Sequence, residues 1–160
     1  MDLQELMEQS EIDMSLESLR AFFLGFMSAE RPFQFHQALK ELDIPESNPT
    51  LDRELENLWK NLTKNKSQEL EKFFPEDQDI NHFLEMAKEN LDFFLTALSL
   101  AGTNADTSKN EELGNVIEEL EDTVMDLDEY LSAPSGDKDG EELKDLLLDT
   151  WKDFLECNKV

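Results

Sequence analysis

The feature that most constrains this chain is the spacing of its large apolar residues, which return every three or four positions along most of its length. That spacing puts them on one side of an α-helix. The clearest run is Ile80, Phe83, Leu84, Ala87, Leu91, Phe94, Leu95 and Leu98, followed by Gly102 as a helix-ending residue. Phe93 and Leu100 widen that stripe, so this helix is expected to be the central, most buried one. No segment has the alternating, β-branched pattern of strands. The expected fold is all-α, a compact bundle of six to eight helices without β-sheet.

Local signals divide the rest. Ser15 caps a helix carrying Leu16, Leu19, Phe22, Phe23, Phe26 and Met27, and Pro32 suits the first turn of a helix from Phe33 to about Asp43. Residues 44–49 read as a loop, after which Thr50 caps a helix from Leu51 to about Asn65 with Leu55, Leu58, Trp59 and Leu62 inward. A helical turn from Leu70 to Phe74 ends at Pro75, and 75–78 and 102–107 read as further loops. Ser108-Lys109-Asn110-Glu111 has the form of a capping box, opening a helix that buries Leu113, Val116, Ile117, Leu120, Val124, Leu127 and Leu131. A last helix starts near Asp139 and buries Leu143, Leu146, Leu147, Trp151 and Phe154. The organisation expected is a main helical domain over 1–131, a flexible acidic linker over 132–140, and a C-terminal amphipathic helix over 141–160 packed on the same domain, with docking on another chain as the alternative.

Charge decides which functions are open. The chain has 39 Asp plus Glu against 14 Lys plus Arg, a formal net charge of −25. Direct nucleic-acid binding needs clustered cations, and an anionic membrane repels such a surface. No stretch approaches the roughly 20 apolar residues of a membrane span. The first residues lack the pattern of a secretory leader, and the single cysteine, Cys157, allows no internal disulfide, so a cytoplasmic location is expected.

The charge is unevenly spread. Residues 51–72 hold five acids and five bases, whereas 111–149 hold fifteen acids and two bases, a net of −13. Around the 108–131 helix, Glu111, Glu112, Glu118, Glu119, Glu121, Asp122, Asp126, Asp128 and Glu129 fill the sectors outside the apolar stripe, and Glu141, Glu142 and Asp145 continue the charge on the last helix. Like charges one turn apart, such as Glu118 and Asp122, weaken an isolated helix by a few tenths of a kcal/mol per pair. Two readings stand side by side: a solubilising surface, and a face that docks a basic protein. Phosphate mimicry is a variant of the second.

Catalytic constellations are missing. The five glycines are scattered, so there is no phosphate loop, and neither His36 nor His82 follows a glutamate by three residues as a di-iron bundle requires. Asp77-Gln78-Asp79 and Asp137-Lys138-Asp139 begin like calcium loops but lack the glycine at the sixth position and the glutamate at the twelfth. No metal, cofactor or catalytic residue is expected.

A family resemblance adds to this. Leu19-Arg20-Ala21-Phe22-Phe23-Leu24-Gly25-Phe26-Met27 resembles the glycine-bearing helix near the start of the YgfB/YecA-like proteins. Phe73-Phe74-Pro75-Glu76-Asp77, the later Asn90-Leu91-Asp92-Phe93-Phe94-Leu95-Thr96-Ala97-Leu98, and Glu112-Leu113-Gly114-Asn115-Val116-Ile117-Glu118-Glu119-Leu120 are similar to that family's next motifs, in the same order, over roughly residues 15–157. The resemblance implies a small acidic all-α bacterial protein, a homodimer in one expectation, that acts by binding and not by catalysis. It also implies that Gly25 and Gly114 are close helix-packing points.

The leading expectation is therefore a non-enzymatic interaction module. Its acidic face over 111–149 would bind a basic protein such as a nucleic-acid-binding regulator. The alternative is a DNA-mimicking or toxin-neutralising inhibitor of the phage or immunity type.

Overall fold

Hydrophobic spacing and capping residues together set eight helices in the computed structural model, which describes residues 2–44, 48–74 and 79–158. They are α1 (Leu3–Gln9), α2 (Leu16–Ser28), α3 (Phe35–Glu41), α4 (Pro49–Lys64), α5 (Lys66–Glu71), α6 (Ile80–Leu100), α7 (Glu111–Ser132) and α8 (Asp137–Cys157). No strand occurs among the described residues, so the molecule is all-α.

α6 is the hub, packing against α2, α7 and α8. α2 is nevertheless the more completely enclosed helix, because every residue from Ser18 to Ser28 except Arg20 is buried. A helix apolar on all sides has to be surrounded. The α6 stripe predicted from the sequence is buried throughout, whereas Phe93 is half-buried and Leu100 is 46% exposed, off the stripe. α6 closes with two bonds: Gly102 at φ +88° donates to the Ser99 carbonyl, and Thr103 donates to that of Leu98. This pairing needs a left-handed residue, which glycine supplies without a Cβ penalty.

Several helix starts differ from the sequence expectation. Phe33 is not helical, because its ring stacks on Phe26 at 5.0 Å and its N–H donates to the Phe26 carbonyl, which leaves Gln34 to cap α3 in a reciprocal pair with Gln37. Asn48, rather than Thr50, caps α4, its side-chain oxygen accepting from the N–H groups of Thr50 and Leu51. Pro49 then occupies the first turn, where its missing donor matters least. Asn110 caps α7, and Ser108 is held in a local exchange of hydrogen bonds with it, so the expected capping box does not form. The short α5 lies over 66–71, earlier than expected, and α1, capped by Asp2, had no counterpart in the sequence reading. The expected loops over 44–49 and 75–78 fall largely outside the described residues.

α8 begins at Asp137, inside the stretch expected to be a flexible linker, which reduces the connection from α7 to residues 133–136. Its anchor is aromatic. Trp151 stacks on Phe73 at 4.6 Å and on Phe154 at 5.1 Å, meets Phe94 edge-on, and donates its indole N–H to the Leu70 carbonyl at 2.9 Å. Aromatic contacts of this kind contribute about 0.5–1.5 kcal/mol each beyond burial. The indole bond ties the last helix to the end of α5, and the helix packs on its own chain.

Candidate protein-interaction face

α7 and α8 form an αα-hairpin. The connection at 133–136 sets them antiparallel, so Glu112 near the start of α7 lies close enough to Cys157 at the end of α8 to repel its thiolate. Burial first, then Glu112, Asp153 and Glu156, raises the Cys157 thiol above its usual range, so this cysteine is a poor nucleophile.

One face of each helix is spent on the core. α7 buries Leu113, Val116, Ile117, Leu120, Thr123, Leu127 and Tyr130. α8 buries Gly140, Leu147, Thr150, Trp151 and Phe154. Glu111, Glu112, Glu118, Glu119, Glu121, Asp122, Asp126, Asp128, Glu129, Glu141, Glu142 and Asp145 are all exposed.

They do not form one uniform patch. Asp128 turns toward α6 and accepts from Lys88 at 2.8 Å, a contact that raises the lysine's pKa. Among the described residues it is the only one of the twelve in an ion pair. Glu121 lies toward the α6–α7 connection, where burial first, then Asp106, Asp122 and Glu118, holds its carboxyl above the usual range. On α8, Glu141 and Asp145 are one turn apart and flank the outer surface. Asp126, Glu129 and Glu142 are brought together around a groove of about 520 Å³ between the end of α7 and the start of α8.

That groove holds residues the sequence reading placed elsewhere. Its lining includes Asp139, which the sequence places in the linker, together with Tyr130, Leu143 and Leu146. Leu143 and Leu146 were expected in the core, but Leu143 is half-buried and Leu146 is 48% exposed. The signal was present: Leu146-Leu147-Leu148 puts three leucines in a row, and successive helical residues point 100° apart, so all three cannot face one core. On α7, Met125 is 70% exposed, one turn before Glu129. Tyr130 donates its hydroxyl proton toward the Gly136 carbonyl at 3.0 Å, with the Asn81 side-chain oxygen also within 3.3 Å.

The two glycines singled out by resemblance behave differently. A Cβ on Gly25 would lie 2.4 Å from the Phe94 carbonyl oxygen and 2.7 Å from the Ala97 Cβ, so Gly25 is where α2 and α6 touch. A Cβ on Gly114 would lie 3.1 Å from the Ala105 carbonyl oxygen, so its close neighbour is the α6–α7 connection and not another helix. A third close approach, at Gly140 against Tyr130 and Ile80, was hidden by reading that glycine as linker.

Of the metal-like sequences, the first begins at Asp77, outside the described residues. In it, Asp79 caps α6 by accepting from the Asn81 and His82 N–H groups. The second forms the first turn of α8, where acids favour the helix dipole. Among the described residues, no group of three or more His, Cys, Asp or Glu side chains is placed to hold a metal ion, and no helix is long and apolar enough to cross a membrane. Comparison with protein-family models, with curated proteins and with solved structures found no match to this chain.

Proposed function

We propose that the protein is a non-enzymatic interaction module that binds a basic protein surface through the outer face of the α7–α8 hairpin. A nucleic-acid-binding regulator, whose cationic groove such a face complements, is the partner class of choice. The observation that carries this reading is the exposure of all twelve acids on a helical pair with almost no bases of its own. Only Asp128 is neutralised by an ion pair among the described residues, so the remaining charge projects into solvent, where it speeds encounter with a cationic partner. The resemblance of these ordered motifs to those of the YgfB/YecA-like proteins supports a role in binding, and kinship with that family is part of the proposal.

The test replaces Glu118, Glu119, Asp122 and Asp126 together by lysine and uses wild type and variant as baits in host lysate at low and moderate salt. All four side chains are exposed, so the variant is expected to keep wild-type helicity by circular dichroism. Wild type retains a basic protein at low salt and releases most of it at moderate salt, and the variant retains none. Equal retention by both baits refutes the reading.

A further inference from the structure

The α7–α8 groove combines two features that a purely solubilising surface has no reason to combine. Asp126, Glu129, Asp139 and Glu142 in its lining are acidic, and none of its lining residues is basic. The same lining holds apolar groups left out of the core, Leu146 at 48% exposure and half-buried Leu143. Of the two lysines in the first half of α8, Lys144 is turned away, its ammonium 4.6 Å from the centre of the Phe83 ring, and Lys138 is exposed one turn before Glu142 without lining the groove. Water solvates the carboxylates well but gains nothing from Leu146.

We infer that this groove seats one amphipathic basic helix of a partner protein. That helix lays an apolar stripe along Leu143 and Leu146, and its lysines or arginines meet Asp126, Glu129, Asp139 and Glu142. The trough between two antiparallel helices is the shape a third helix fills, reading as anchors at i, i+3 or i+4, and i+7. A second copy of this chain is the poorer occupant, because each copy carries a formal charge of −25 and would bring carboxylates to carboxylates. The inference rests on the proposed acidic-face function and adds to it the form of the partner's contact: charge sets the rate of encounter and the apolar strip holds the complex.

The experiment compares two fluorescent peptides of equal length and lysine count, one with leucines at helical spacing and one with those leucines replaced by serine. Affinities are measured by anisotropy for wild type, for Leu146→Ser, and for Asp126→Lys with Glu129→Lys. Every substituted side chain is exposed, and helicity is checked for each variant. The Lys/Leu peptide binds wild type at least about tenfold more tightly than the Lys/Ser peptide, and Leu146→Ser removes most of that advantage while leaving Lys/Ser binding unchanged. The charge variant weakens both peptides. If the two peptides bind wild type equally, or the apolar variant binds Lys/Leu like wild type, the helix-in-groove inference falls and the acidic-face reading stands. If the charge variant binds both peptides as wild type does, the acidic-face reading falls as well. Sedimentation of the protein alone shows a monomer; a dimer that Leu146→Ser dissociates would make a second copy the occupant and overturn the inference.

Discussion

The contact between α2 and α6 and the pairing of α7 with α8 are built on opposite plans. α2 contributes nearly its whole circumference to the core, and its backbone approaches that of α6 so closely that Gly25 has no room for a methyl group. α7 and α8 give the core one stripe each and hand the rest of their circumference to solvent as carboxylates. The first arrangement suits stability and leaves nothing to present. The second spends helix surface on like charges that raise the free energy of the folded chain. Substitutions at the α2–α6 contact should therefore act on melting, and those on the outer hairpin on binding.

Gly25→Ala should produce the largest loss of stability. Alanine in place of glycine favours a helix by about 1 kcal/mol. Here the new Cβ would stand 2.4 Å from a backbone oxygen that cannot swing aside, so the helices have to separate. Overpacking of this kind costs about 3 kcal/mol, which outweighs the propensity gain. Thermal melting should show a drop of several degrees, at about 2–4 °C per kcal/mol for a chain of this size. A rise in melting temperature would mean that α2 and α6 can part without loss.

The hairpin has a milder version of the same contact. Gly140→Ala places a Cβ 2.8 Å from the Tyr130 hydroxyl oxygen, but that atom ends a side chain and can move. Displacing it gives up its bonds to Gly136 and Asn81, about 1 kcal/mol. Because alanine also favours the helix by about 1 kcal/mol, Gly140→Ala should melt close to wild type, and adding Tyr130→Phe should lower stability by less than Tyr130→Phe does alone in wild type. Additive losses across that double-mutant cycle would show that the two positions are uncoupled.

These contrasts also mark what the sequence made legible. Stripes such as Ile80 to Leu98 and Leu113 to Leu127 announce helices because a packed core reads period alone, and their buried faces follow directly. Caps are harder to read, since Ser108 and Asn110, or Thr50 and Asn48, all carry a side-chain oxygen able to accept from the first helical N–H groups, and the fold chooses between them. Phe33 reads as helical in isolation and is held extended by its stack on Phe26, a neighbour that only the fold supplies. Acid exposure on α7 was visible from the pattern, but the groove was not. It depends on how α8 rotates against α7, and Gly140 and Trp151 set that rotation through Tyr130 and the aromatic cluster. Leu146 consequently changes sides, from expected core to exposed groove lining.

The smallest effect expected concerns pH, and it isolates the repulsion within the hairpin. Burial, then Asp106, Asp122 and Glu118, raises the Glu121 pKa in the folded chain above its unfolded value. Between those two values the folded state binds more protons than the unfolded one, so stability increases as pH falls from neutral through the raised folded value. Wild-type melting temperature should therefore climb on mild acidification, and added salt at neutral pH should raise it too by screening the same carboxylates. Glu121→Gln removes the titrating group and keeps its shape, so the variant should start with a higher melting temperature at neutral pH and gain less on acidification. Gln removes the charge of Glu121 and its repulsion with Asp106, Asp122 and Glu118, so the difference between the two curves belongs to that cluster. Parallel curves would place the strain of the acidic face on other carboxylates, whereas convergence at low pH would locate it where α7 meets the α6–α7 connection.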